Sequence, residues 1–304
     1  MSLFLTVLGS SSATPTAFRY PSAYLLRSDR MKSLMLIDCG EGTQMQLRRN
    51  SVCMQKIEHI FISHLHGDHF FGLFGFIFSQ NLLGRKAPLH IYAHKPLKEL
   101  INNMLSVDGT QLQYEIVFHA IKDGNSTLLK TDRMIVKAFP LNHSIKTHGF
   151  VFTEQGPPYV LDKDFVNQYH PNKEWMERIK NGADYETEDG IVLPHAQITR
   201  KVDNLKSFAY CSDTAYSPEV VKKIKGVDLL YHEATFMHDL AAVATDKYHS
   251  TSQQAAEIAK AARVKKLLVG HFSARYKDIN PLVNEAKEVF ANTSPAIEGM
   301  VVKA

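Results

Sequence analysis

The chain of 304 residues is 44% apolar and 22% charged, with Gly 16 and Pro 12, proportions that exclude disordered, collagen-like and low-complexity classes. At roughly 150 residues per domain this length suits two domains or one large layered one, able to bury a core without disulfide staples. Lys+Arg 35 against Asp+Glu 31 gives +4, a mild basic bias that permits a polyanionic partner without requiring one; the unusual count is His 15 against Trp 1 and Cys 3.

In chain order, strand-like apolar runs fall at Leu3–Leu8, Ser33–Ile37, Ile60–Ile62, Leu89–Tyr92, Met134–Phe139, Phe208–Tyr210, Leu229–Tyr231 and Leu267–Val269. Helix-like stretches lie between them at Thr43–Arg49, Pro96–Leu105 and Ser252–Ala262, the last with Ser250, Thr251 or Ser252 as its cap. Strands alternating with helices predict an α/β layered fold. The opening run carries no preceding basic residues, so it reads as a first strand rather than a signal peptide. No apolar run approaches the ~18 residues of a membrane span. Cys39, Cys53 and Cys211 are odd in number and form no C-x-x-C pair, which fits a reducing interior and predicts the cytoplasm. The stretch 154–190 is polar and irregular and holds the one tryptophan; it reads as an insertion or arm between two strand-rich halves.

Several strand-like runs deliver a titratable residue at one end: His64, His143, Asp213, His232 and His271. That pattern lines one rim of a sheet, where α/β folds place their sites. The densest signal is SHLHGDH, Ser63–His69. His64 and His66, two apart, share one side of an extended loop, and Gly67 lets the backbone turn so that Asp68 and His69 aim elsewhere. Four such ligands in two pairs suit two adjacent metal ions, with zinc favoured and manganese or iron possible. His143, Asp213 and His271 are candidates to complete the two sites, Asp213 as a bridging carboxylate. His59, His90, His94, His119, His148, His170, His195 and His238 have no such context.

The H-x-H-x-D-H run resembles the metallo-β-lactamase superfamily, and further segments narrow the resemblance. LIDCGEGTQ (Leu36–Gln44), SHLHGDHFFGL (Ser63–Leu73), SDT (Ser212–Thr214), HEATF (His232–Phe236), HST (His249–Thr251) and GHFSARY (Gly270–Tyr276) occur in one order. Together they resemble the ribonuclease Z family in its short form, from Leu3 to about Tyr276. The resemblance implies a four-layer αββα sandwich, one domain over 1–304 with an inserted arm at about 154–190. It implies a zinc-dependent endoribonuclease that removes the 3′ trailer from precursor tRNA and leaves a 3′-hydroxyl. One zinc would take His64, His66 and His143, the other Asp68, His69 and His271, with Asp213 bridging. Asp68 would also orient or deprotonate the attacking water, and Glu233 with His249 would assist the leaving group. Asp38 would support the metal-binding loop without ligating. A homodimer is implied, one subunit's arm serving the other's site.

Two features depart from the family pattern. Where family members resemble P-x-K-x-R-N after the first strand, Pro15 and Arg19 match, but Ala17 and Tyr20 replace the lysine and asparagine. Arg19 remains a candidate RNA contact. The arm in the family clamps the tRNA; here Asp162–Gly190 holds four basic and eight acidic residues, so the rest of the chain carries +8 against a total of +4. Lys173, Arg178 and Lys180, with Trp175, are its candidate contacts, and Arg48-Arg49, Arg85-Lys86 and Lys222-Lys223-Lys225 are candidate basic surface elsewhere. The competing reading keeps fold and metals but hydrolyses a small phosphodiester, thioester or lactone, which needs no arm.

Overall fold

Among the described residues, eighteen strands account for most of the apolar runs. The structure, a computed structural model, describes residues 2–107, 109–157, 159–201 and 205–304. In chain order the strands are β1 (Leu3–Gly9), β2 (Ala23–Ser28), β3 (Leu34–Ile37), β4 (Ile57–Phe61), β5 (Leu89–Ala93), β6 (Ile116–Ala120), β7 (Ser126–Lys130), β8 (Met134–Leu141) and β9 (Thr147–Glu154). They continue as β10 (Tyr159–Leu161), β11 (Tyr185–Glu186), β12 (Val192–Leu193), β13 (Thr199–Lys201), β14 (Ser207–Cys211), β15 (Leu229–Glu233), β16 (Lys266–Gly270), β17 (Thr293–Pro295) and β18 (Val301–Lys303). The α-helices are α1 (Thr43–Arg49), α2 (Gly67–Leu82), α3 (Pro96–Ser106), α4 (Lys163–Tyr169), α5 (Lys173–Lys180), α6 (His195–Ile198), α7 (Val220–Lys223), α8 (Ala241–Asp246), α9 (Ser252–Ala261) and α10 (Asn280–Val289).

Two seven-stranded sheets run in the orders β18-β1-β2-β3-β4-β5-β6 and β17-β16-β15-β14-β9-β8-β7. Three packed cores define the layers. Val7, Tyr24, Ile37 and Phe61 of the first sheet meet Val136, Phe150, Phe208 and Tyr231 of the second. The other face of the first sheet packs on Leu47, Phe76 and Leu97 of α1, α2 and α3. The other face of the second packs on Val220, Ile258 and Leu282 of α7, α9 and α10. The fold is therefore the helix–sheet–sheet–helix sandwich of the metallo-β-lactamase class. Strands β14, β15 and β16 pair in parallel and are covered on both faces, which explains their near-continuous apolar sequences. Helix α9 starts as expected, with Thr251 capping Gln254 N and Gln254 returning the bond to Thr251 N.

Two elements differ from the sequence expectation. The metal-motif loop ends at His66, because Gly67 opens the sixteen-residue helix α2; Asp68 and His69 lie in its first turn, not on a turned loop. Residues in the stretch read as irregular form α4 and α5, and the ordered unit continues to Lys201. Phe165, Ile179, Tyr185 and Ile198 make a small core of its own, closed by the antiparallel pair β10–β13.

Candidate metal centre

The parallel strands place their following residues along one rim. Asp38 follows β3, Ser63 and His64 follow β4, Asp213 follows β14, Glu233 ends β15 and His271 follows β16. His143 lies two residues beyond β8. The backbone turns sharply at two of these points, Asp38 with φ +53 and His271 with φ +61, the left-handed region that non-glycine residues rarely adopt.

The side chains converge in two groups that share one carboxylate. His64, His66, His143 and Asp213 form one, and Asp68, His69, Asp213 and His271 the other, the ligand atoms of each lying within 4.8 Å of one another. Asp213 Oδ2 is 3.6 Å from His64 Nε2 and 3.8 Å from His143 Nε2. Its Oδ1 is 3.4 Å from His69 Nε2 and 3.2 Å from His271 Nε2. Asp68 Oδ2 completes the second group at 3.3 Å from His69 Nε2 and 3.5 Å from His271 Nε2.

The outer nitrogens of four of these rings are held from behind, which fixes the rings with Nε2 turned inward. His69 Nδ1 bonds Asp38 Oδ2 at 2.7 Å, His64 Nδ1 meets Ser63 Oγ at 3.0 Å, His271 Nδ1 meets Thr235 Oγ1 at 2.9 Å, and His143 Nδ1 bonds the Tyr248 carbonyl at 2.9 Å. Asp38, fully buried, also accepts from Ser63 N at 2.8 Å, Ser63 Oγ at 2.9 Å and Tyr210 OH at 2.7 Å, so its oxygens are occupied on the far side of His69.

Divalent cations fit this cluster. His69 Nε2, His271 Nε2 and Asp213 Oδ1 are buried without a hydrogen-bond partner among the described residues, a costly state that coordination would relieve. Charge points the same way: burial would strip a proton from His69, but Asp68, Asp213 and Asp38 outweigh it and draw positive charge to this spot. The donors are imidazole and carboxylate, a set that favours zinc.

Glu233 and His249 stand beside the second group, with the His249 ring centroid 5.4 Å from that of His271 and 5.3 Å from that of His143. Both lie within ligand distance of His271. Glu233, however, is saturated: its Oε1 accepts from His249 Nδ1 at 2.8 Å, Thr214 N at 3.1 Å and Ser250 N at 3.0 Å, and its Oε2 from Thr235 N at 3.0 Å and Thr235 Oγ1 at 2.7 Å. These bonds leave the carboxylate fixed against the His249 ring. Burial would lower the imidazole, but Glu233 raises it to about 9.

The cluster opens to a cavity of about 670 Å³, with Phe71 on one wall and Lys247 and Arg275 on another. Arg19 does not face it as a free cation. Its Nη2 donates to the carbonyls of Ser273 at 3.3 Å and Tyr276 at 2.9 Å, tying the 10–21 loop to the segment after His271. Tyr20 accepts from Arg49 Nη1 at 2.5 Å. Lys173, Arg178 and Lys180 sit on α5, remote in sequence from the cluster, with the Arg178 guanidinium 4.3 Å over the Trp175 ring. Lys173 and Lys180 line a groove of about 590 Å³ with Arg133 and Gly156. The supporting hydroxyls of Ser63 and Thr235 were not singled out in sequence, although SH and HEAT contain them; the Tyr248 carbonyl leaves no sequence signal at all.

Comparison with known proteins places this geometry. The family model described as Anti-Pycsar protein Apyc1 matches residues 3–179, and the beta-lactamase superfamily domain model matches 191–272. Curated proteins named Ribonuclease Z match along nearly the whole chain. That of Bacteroides thetaiotaomicron is 45% identical over 98% of this chain and 94% of its own, and that of Porphyromonas gingivalis strain W83 is 40% identical over 97% and 96%. The crystal structure of human tRNase Z, short form, superposes with a TM-score of 0.72 at 27% identity, covering 98% of each chain. The two domain models divide the chain between them, whereas the curated relatives span both parts together.

Proposed function

This chain belongs to the ribonuclease Z family of hydrolytic endoribonucleases, and on that premise we propose that it removes the 3′ trailer from precursor tRNA and leaves a 3′-hydroxyl. The observation that carries the mechanism is the position of Asp213, whose two oxygens face two separate imidazole sets. His64, His66 and His143 would hold one divalent ion and Asp68, His69 and His271 a second, with Asp213 between; zinc suits the donors, and manganese or iron are accommodated by the same atoms. When bound, such a pair supplies Lewis-acid polarisation of the scissile phosphate and lowers the pKa of an attacking water.

The chain's own groups supply the proton steps. Asp68 Oδ2 is held by Ala13 N at 3.0 Å. Burial would raise this carboxyl, but His69 and His271 hold it well below the usual carboxylate range, so it stays ionised and orients the attacking water by accepting a hydrogen bond from it. His249, kept protonated at neutral pH by Glu233, gives its proton to the departing 3′ oxygen. The unit built on β10–β13 serves as the arm, presenting Lys173, Arg178 and Lys180 to the tRNA body, and in a homodimer it reaches the partner's site. A cytoplasmic setting agrees with three free cysteines, and among the described residues no helix is long and apolar enough to cross a membrane.

Incubation with precursor tRNAs carrying and lacking an encoded CCA, followed by mapping of the 3′ ends, tests the reading. A discrete 3′-hydroxyl end at the trailer junction is expected. Intact precursors beside efficient hydrolysis of a small phosphodiester would replace it with the small-substrate alternative.

A further inference from the structure

The three basic pairs and triplets singled out in the sequence have different fates. Arg85 is buried and spends its guanidinium on the carbonyls of Ile57, Ala87 and Pro88. Arg49 is engaged with Tyr20. Lys222, Lys223 and Lys225 instead stand exposed at the end of α7, where they border a groove of about 690 Å³. Exposed Lys137 of β8 lines the same groove. None of these four lysines has an ion pair among the described residues, and no aspartate or glutamate lines the groove.

The groove has more than charge. Its walls carry the hydroxyls of exposed Thr127, opposite Lys137, and of Thr153 on the same face of the sheet. Ser126, opposite Ala138 of the inter-sheet core, turns its buried hydroxyl to the other face. Lys137 and Phe139 share the outer face of β8, the strand that leads directly to His143. Six residues at about 3.3 Å each put Lys137 ~20 Å from the metal cluster. The arm is net acidic, so cationic surface must come from the body of the molecule.

We propose that this groove is an anion site that grips the phosphodiester backbone of the RNA substrate away from the point of cleavage. The inference rests on the reading that the substrate is RNA. Four lysines supply point charges without a fixed fork, which suits a backbone held regardless of sequence, and the Thr127 hydroxyl beside Lys137 supplies a donor to one phosphate oxygen.

The test compares wild type with the quadruple variant Lys137→Ala/Lys222→Ala/Lys223→Ala/Lys225→Ala and with Thr127→Ala. Precursor tRNA affinity is measured by fluorescence anisotropy from 50 to 200 mM salt, alongside KM and kcat for trailer removal. The quadruple variant should bind at least about tenfold more weakly, with the slope of log affinity against log salt reduced by about four. Its kcat should stay within about twofold, as should hydrolysis of bis-p-nitrophenyl phosphate, which the groove does not hold and which reports intact folding. The matching Lys→Arg quadruple should restore binding, and Thr127→Ala should weaken it by a few-fold with the salt slope unchanged. Equal affinity and slope in wild type and the Lys→Ala variant would overturn the proposal and leave the patch to an acidic protein partner. Trailer removal by the wild type reports on the functional reading separately, because the anisotropy ratio is read on the same RNA whether or not it is cut.

Discussion

Replacing His249 by alanine isolates the proton-donating step from metal binding. The geometry limits collateral damage: Glu233 loses one donor of five, and Thr214 N, Ser250 N, Thr235 N and Thr235 Oγ1 continue to satisfy it. His64, His66, Asp68, His69, His143, Asp213 and His271 keep their outer contacts, since none of those runs through His249. What disappears is general acid assistance to a poor leaving group, worth about 10²–10⁴ in rate, or about 3–5 kcal/mol of transition-state stabilisation. Single-turnover cleavage of a precursor tRNA should therefore slow by that factor at unchanged metal content. A substrate with a 3′-bridging sulfur at the scissile bond leaves without protonation, so on it wild type and variant should differ by less than about tenfold. The wild-type pH profile carries the same signature. Glu233 raises His249 to about 9, so the donor is protonated below that pH and the rate falls as pH climbs through it; the variant lacks that limb. An equal slowing on oxygen and sulfur substrates, or loss of metal with the imidazole, would refute the role.

Asp38→Asn keeps the shape but removes the charge that meets His69 Nδ1 at 2.7 Å, and should weaken metal affinity by about 10–100-fold, measured by competition with a chromogenic chelator. Removing metal with a chelator should lower the thermal midpoint: at free metal about 1,000-fold above Kd the bound form gains about 4 kcal/mol, or roughly 6 °C for a chain of this size, read by calorimetry with and without added zinc. Excising 160–200 and joining the neighbouring ends of β10 and β13, which pair at Tyr159 and Lys201, should raise KM for precursor tRNA while sparing a small phosphodiester; equal loss of both activities would count against the arm.

The candidate metal centre was legible because its strongest part is local. H-x-H-x-D-H puts four candidate donors in six residues, and His143, Asp213 and His271 each follow an apolar strand, so apolar runs ending in a candidate ligand point to one rim. The helical setting of Asp68 and His69 was not legible. GDHFFGLFGFIFSQNL is apolar on nearly every side and gives no clear 3.6-residue stripe. Its helix is fixed by tertiary contact: a Cβ on Gly72 would lie 2.1 Å from the Gly40 carbonyl, so α2 seats against the loop after β3 only through glycine. The arm misled for the opposite reason. Its helices are short and polar, and a core of Phe165, Ile179, Tyr185 and Ile198 spread over more than thirty residues leaves no window with a visible period. Basic residues were the least legible, since Arg19 and Arg85 look free in sequence and are committed to backbone carbonyls.

The division of ligands between the sheets explains why the rim holds its geometry. His64, His66, Asp68 and His69 come from the first sheet and its helix α2; His143, Asp213 and His271 come from the second. Neither set is complete alone, so the spacing of the donors depends on how the sheets pack. The sheets are tied together directly beneath the site, where Tyr24 OH bonds Tyr231 OH at 2.6 Å across the interface and Tyr210 OH reaches Asp38, which follows β3 of the first sheet, at 2.7 Å. The Tyr210–Asp38 bond runs on through Asp38 to His69, linking the inter-sheet core to a ligand ring by two hydrogen bonds. Substitutions at Tyr210 should therefore disturb the metal centre although the side chain is buried in the core and touches no ligand directly. A sheet-to-sheet bond at this point does two jobs, closing the sandwich and setting the tautomer of an imidazole, and that coupling makes the polar tyrosines intelligible in an otherwise apolar layer.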